Sequence, residues 1–450
     1  MARQSLFPVF PGVNGAQSFA IMTSSDAGRA PAHAITRFRA AVAFIALLAL
    51  YFVSYFQRVA VPGTIFDELQ NELGAASAVA TLGALFTIVY GCMQLFVGLL
   101  ADRYGGGRVA LVGGFFLAAG SLAFPFAHIS WQFYAARLLT GFGASFIFLC
   151  LIKETDRLFS PRLFTVLLGV VLLVGYSGGV VATWPMAHAA AAWGWREALW
   201  IAGLAAVATM ALALPALCRL RSPLDRETLS LRPFFEVLRN RTSWSLLVSS
   251  LLYFPVFFCV QSIFGKKFLQ DVAGMASTPA AMLVLAMTGV SAFAGILGGF
   301  LPNWLGFRRK PCLVAASAII AAGTVIILLG IACRASVAVY SAGYFLLALG
   351  LMGNPAAAAT MKELNRPAIT AAAVSVTNAL AYLGCSLLGH AGGVILECYR
   401  HQAQATADGI IYPPAAYLAL FAFFSLAAII NLLVVSFMPE TGGRHLPAGA

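Results

Sequence analysis

Gly98-Leu-Leu-Ala-Asp102-Arg103-Tyr-Gly105-Gly-Gly-Arg108 places one acid, two arginines and a tight turn directly behind a long apolar run. Charge in that position belongs at a membrane surface. Gly105 suits a turn that a side chain would oppose, and Gly98 suits a helix end that comes close to its neighbour. Asp102 is available to accept hydrogen bonds from arginines or from a helix N-terminus. The stretch therefore reads as a latch able to hold one conformation shut, with Gly98, Asp102, Arg103, Gly105 and Arg108 as its parts.

Composition supports a membrane setting. Of 450 residues 61% are hydrophobic and only 10% charged, which leaves too little polar surface to cover a soluble globule. Twelve apolar windows of roughly 20 residues recur, each long enough at about 1.5 Å rise per residue to cross a hydrocarbon core of about 30 Å. The net charge of +12 could suggest nucleic acid, but of the 28 Lys and Arg only Arg58, Arg137, Arg196, Lys266, Lys267, Arg334 and Arg400 fall outside the termini and the even-to-odd loops. That asymmetry orients a chain with both termini in the cytoplasm and needs no nucleic-acid partner. Eight cysteines without a C-x-x-C or Cys/His cluster imply no metal, cofactor or disulfide framework. A nucleophile-base-acid set and a phosphate loop are both missing, so an enzyme is not expected.

The opening motif has a second copy. Gly299-Phe-Leu-Pro-Asn303-Trp-Leu-Gly306-Phe-Arg308-Arg309 sets Gly299, Asn303, Gly306 and Arg309 where the first has Gly98, Asp102, Gly105 and Arg108. An all-α membrane protein of two six-helix pseudo-repeat halves follows, with the neutral Asn303 making the second latch weaker. The division expected is a cytoplasmic tail over 1–38, halves over 39–218 and 244–440, a linker over 219–243 and a C-terminal tail over 441–450. Phe234, Phe235, Val237 and Leu238 in the linker are spaced for one amphipathic face lying on the inner leaflet.

These stretches resemble motif A of the major facilitator superfamily, G-x-x-x-D-[RK]-x-G-x-[RK]-[RK], departing only at Gly107, where a second basic residue is usual. Arg137-Leu-Leu-Thr-Gly141-Phe-Gly143, Gly194-Trp-Arg196 and Pro439-Glu440-Thr441-Gly442 are similar to patterns of helices four, six and twelve in that superfamily. The resemblance implies a twelve-helix transporter, monomeric, in a bacterial inner membrane, moving a small molecule by alternating access.

Arginine inside a bilayer is costly, so such residues are site candidates. Tyr51, Tyr55, Arg58 and Pro62 fall on one face of the first span, and Tyr134, Arg137, Gly141 and Ser145 on one face of the fourth. Paired guanidinium donors suit a carboxylate or phosphate. Two other roles also fit: Arg58 could snorkel to the surface, and Arg137 could be a strut of its helix. The Y-x-x-R segment resembles the anion:cation symporter branch, whose arginine contacts an organic anion, which would make Arg58, Tyr51, Tyr55 and Arg137 substrate ligands. Gln57 and Ala144 stand where that branch carries acids, so its proton carriers are missing.

His390 is then the one mid-span group with a useful pKa for a coupling proton. Gln261, Ser262 and Asn378 are polar residues in apolar helices, serving either substrate or interhelical hydrogen bonding. Lys266 and Lys267 read as solvated at the outer end of helix seven, where they would attract anions. Helix five lacks the G-P-x-x-G-G core associated with drug and proton antiporters, which favours uptake. Export of hydrophobic compounds, suggested by 35 Phe, and a non-transporting membrane sensor are the alternatives.

Overall fold

The computed structural model describes residues 37–220, 231–304, 306, 308–366, 369–406 and 409–444. The expected N-terminal tail falls almost entirely outside these residues, as do 221–230 of the linker and 445–450 of the C-terminal tail. Twelve segments among the described residues are long and apolar enough to cross a bilayer. In the first half these are α1 (Arg37–Leu73), α2 (Ala76–Ala101), α3 (Gly106–Phe126), α4 (Ser130–Leu158), α5 (Leu167–Trp193) and α6 (Trp195–Cys218). The second half has α7 (Arg241–Asp271), α8 (Ser277–Leu301), α9 (Lys310–Ala332), α10 (Val337–Glu363), α11 (Ala372–Cys398) and α12 (Pro414–Ser436). Helix is the form these runs must take, because in hydrocarbon the backbone has only itself to bond.

Prolines interrupt the helices where the sequence places them. The first stretch of α1 stops at Ala60, before Pro62, and α10 restarts at Asn354 with Pro355 in its first turn. Within α7 the chain breaks near Leu251, one turn before Pro255, and then opens into a π-helical turn over Val260–Phe264. Such turns carry one extra residue and re-aim the side chains around them. The halves pack chiefly by α2 lying along α11, and a two-stranded hairpin, β1 (Gln404–Thr406) and β2 (Gly409–Ile411), joins α11 to α12.

Two expectations change. Gly98 is not a close-approach point, since an added Cβ would meet Leu149 at an ordinary 3.7 Å; the crowded glycine is Gly106, whose Cβ would sit 2.7 Å from the Glu154 carboxylate. In the linker helix Arg232–Arg239, Val237 is buried against the second half while Phe235 and Leu238 are exposed. Lys266 and Lys267 are not solvated, being only 6% and 2% exposed, for reasons that lie in their partners.

Candidate functional site

Arg58 sits in the last turn of α1 before the proline break, 6% exposed. Its guanidinium carbon lies 4.5 Å from the ring centre of Tyr90 on α2, 5.0 Å from that of Tyr55 and 5.2 Å from that of Tyr382 on α11. Nη1 donates to the Tyr382 hydroxyl at 2.7 Å. Three ring faces stabilise the cation by quadrupole attraction without neutralising it. Nε and Nη2 are buried and have no hydrogen-bond partner among the described residues. Two unpartnered donors on a full charge are costly unless a ligand supplies acceptors.

Arg58 also lines a cavity between the halves. Arg58, Tyr55, Val59 and Tyr176 line it from the first half. Phe254, Phe257, Phe258 and Gln261 of α7, Thr288 and Ser291 of α8, and Leu351 and Asn354 of α10 line it from the second. Gln261 belongs to the π-helical turn; its Nε2 donates to Thr288 Oγ1 at 3.1 Å and its Oε1 accepts from Ser262.

The other candidates separate. Tyr51 packs behind Tyr55, edge to face at 6.0 Å, and against Phe148 at 5.3 Å, so it supports the site instead of lining it. Arg137 does not share the cavity with Arg58. It is 2% exposed, donates to the carbonyls of Gln57 at 2.8 Å, Leu82 at 3.3 Å and Val61, and lies 4.3 Å from the Phe86 ring centre. All its nitrogens are engaged with backbone, so it struts the broken end of α1 against α2. Asn378 is half-buried one turn before Tyr382 and does not line the cavity. His390 is exposed, with Nδ1 3.1 Å from Thr81 Oγ1. The Thr81 hydroxyl also donates to the Ser77 carbonyl, and the ring bridges α11 to α2. Tyr90, Tyr176, Tyr382, Thr288, Ser291 and Asn354 went unread in the sequence; the available signal was a phenol, hydroxyl or amide within an apolar span.

At the end bearing the α1–α2 loop the halves are tied by charge. Lys267 Nζ pairs with Asp67 of α1 at 2.6 Å and Asp271 at 2.8 Å, and donates to the Ile410 carbonyl of the hairpin at 2.5 Å. Lys266 donates to the Thr64 carbonyl at 2.5 Å. Glu397 of α11 accepts from the Ala76 amide at 3.0 Å and so caps α2 across the interface. Gln70 donates to the Tyr412 hydroxyl at 2.7 Å. Burial, then the Glu397 charge, pushes the Tyr412 phenol up to about 12, so it stays a donor at neutral pH.

At the opposite end Gly105 has φ 86°, as its place in the turn requires. The side chains of Asp102 and Asn303 lie outside those described. Arg103 and Arg108 are exposed, and the acid at the N-terminus of α3 is Glu154 of α4, which accepts from the Gly107 amide at 3.1 Å. In the second half Arg309 pairs with Glu363 of α10 at 2.9 Å, and Thr441 also donates to Glu363. Glu440 accepts from the backbone amides of Arg309 at 2.8 Å and Lys310 at 3.1 Å. Burial pushes the Glu440 carboxyl up, but these amides and that of Gly442 outweigh it and hold it below its ordinary value.

The family description "Major Facilitator Superfamily" matches residues 45–389. Among curated proteins nothing matches. The solved structure of a bacterial homolog of the human lysosomal transporter Spinster, inward-facing and unoccupied, has a TM-score of 0.69 at 16% identity, covering 91% of this chain and 99% of its own. An auto-inhibited peptide transporter of the POT family gives 0.68 at 16% identity over 91% and 99%, and the nucleoside transporter NupG 0.69 at 13% over 88% and 99%. At such identities the likeness shows the fold. With the family matched over most of its length and twelve spanning helices in the structure, this chain belongs to the Major Facilitator Superfamily and is a multi-pass membrane transporter of a solute.

Proposed function

We propose that the protein carries a small organic anion or zwitterion, with Arg58 holding the negative group. One observation supports this most directly: Arg58 lines the cavity between the halves, and its buried Nε and Nη2 have no hydrogen-bond partner among the described residues. A carboxylate would meet both donors in paired geometry, and the excluded water would strengthen the contact. This is also what the anion:cation symporter branch would require of the position. The setting is a bacterial inner membrane with both termini in the cytoplasm, the chain acts as a monomer, and in this reading the Lys267 tie closes the outward end. Coupling runs through the substrate's own charge or through the carboxylates of that tied end.

The test is thermal stabilisation of purified protein by a panel of carboxylates, amino acids, phosphates and lipophilic cations, repeated on Arg58→Ala. At a hundred times Kd a ligand contributes about 2.7 kcal/mol. An anion that stabilises the wild type and not the variant is the expected result. A second reading, export of hydrophobic compounds, is favoured by Phe254, Phe257 and Phe258 on one wall; stabilisation by lipophilic cations, indifferent to Arg58, would replace the first reading with it.

A further inference from the structure

The two walls of the cavity differ in kind. Charge comes only from the first half, through Arg58, whereas the second half offers the neutral polar groups Gln261, Thr288, Ser291 and Asn354. No carboxylate lines the cavity among the described residues; Asp67 of α1 and Asp271 of α7 are committed to Lys267 at the tied end, and Glu72 of α1 pairs with Arg196.

The neutral pole is built, not incidental. Gln261 is aimed by the π-helical turn and held by Thr288 and Ser262. Thr288 and Ser291 donate to carbonyls of their own helix at 2.9 Å and 2.7 Å, which fixes their hydroxyl rotors. The Asn354 amide, half-buried, has no partner among the described residues and so presents both a donor and an acceptor. Phe254, Phe257 and Phe258 also line the cavity, and their rings suit a ring or an aliphatic body.

An ammonium finds no counterpart in this arrangement. Beside the carboxylate it would lie against the guanidinium, whose neighbouring ring faces, Tyr55, Tyr90 and Tyr382, are already turned to Arg58. Like charges at that separation repel, and water is too scarce to screen them. At the far pole an ammonium would meet dipoles but no charge, and desolvating it there is unfavourable.

We infer that the site selects organic monoanions with an apolar body and a neutral hydrogen-bonding group at the far end, and rejects zwitterions and cations. This rests on the reading of Arg58 as the anion anchor. Discrimination then comes from two places: Arg58 excludes positive charge near the head, and Gln261 with Asn354 rewards a hydroxyl or amide at the tail.

Four probes on one skeleton test it: 3-(4-hydroxyphenyl)propanoate, 3-phenylpropanoate, tyrosine and tyramine, each titrated by thermal shift and by binding to purified full-length protein. The hydroxylated acid should bind tightest, the acid lacking the hydroxyl roughly tenfold more weakly, and tyrosine and tyramine not measurably, since a site built to bond a hydroxyl discriminates against the analogue without one. Gln261→Leu and, separately, Asn354→Leu should each bring the ratio between the two acids toward one. Arg58→Gln, with a monodisperse folded species confirmed by size exclusion, should abolish binding of both acids. Both acids binding equally, or tyrosine binding as well as its deaminated analogue, while Arg58→Gln still abolishes binding, overturns this inference and leaves the anchor standing. Acids binding regardless of Arg58→Gln, or no probe binding at all, overturns the anchor and the inference with it.

Discussion

Arg58 and Arg137 rest on the same sequence argument, an arginine on the polar side of an apolar helix, and their partners separate them. Both are buried, yet Arg137 meets three backbone carbonyls while Arg58 meets ring faces and one phenol. For two of those carbonyls the cause lies at Pro62: the first stretch of α1 stops at Ala60, and Arg137 on α4 donates to Gln57 and Val61 at that end, while the Leu82 carbonyl belongs to the interior of α2. Replacing Arg137 by Met should therefore lower stability, since each stranded carbonyl costs about 1–3 kcal/mol. A melting point reduced by many degrees, with ligand affinity retained in the folded fraction, is expected; normal melting with affinity lost would return Arg137 to the binding site. The cost of burying an arginine is readable from sequence, but the identity of the carbonyls it reaches depends on where a neighbouring helix ends in space.

Helix ends carry much of the polar chemistry in this chain. The N-termini of α2, α3 and α9 are each met by a carboxylate from elsewhere: Glu397, Glu154 and Glu440. Pro439-Glu440-Thr441-Gly442 is visible as a motif, but nothing in the sequence marks Glu154 or Glu363, because only the fold brings the end of α4 to α3 and the end of α10 to Arg309. Glu440 has a lowered carboxyl pKa, so its contribution is fully present above the ordinary carboxylate range and is lost as pH falls through the lowered value. Glu440→Gln should lower the melting point at pH 7 and flatten its decline between about pH 5 and pH 3 relative to wild type. Parallel melting curves over that window would remove the carboxylate from its capping role. The π-helical turn in α7 was not legible at all, since Val260-Gln261-Ser262-Ile263-Phe264 carries no residue that announces an extra residue per turn.

Across the whole molecule, apolar length, charge asymmetry and the repeated motif were enough to give twelve spans and the family, because each is a property of the chain summed over many residues. Which end of the cavity is closed was not legible. Lys267 and Asp271 are one helical turn apart and read as a solvated pair, whereas Asp67, which makes them an inter-half tie, is two hundred residues away in the chain. If that tie holds the described state, Asp67→Asn should shift the equilibrium toward opening at the α1–α2 end. A cysteine placed at Thr288 would then react roughly tenfold faster with a membrane-impermeant maleimide applied from that side, as a shift of about 1.4 kcal/mol requires. An unchanged labelling rate would assign the closure to the apolar contact of α2 with α11.

The hairpin at Gln404–Thr406 and Gly409–Ile411 gives this closure an unusual dependency. Lys267 takes its third contact from the Ile410 carbonyl, and Asp271 receives the Tyr412 amide at 3.0 Å, so the closing charges are partly organised by a surface loop. That makes the loop a handle: an antibody fragment gripping it in this arrangement would brake the cycle without entering the cavity, crossing the membrane or competing with whatever the transporter carries.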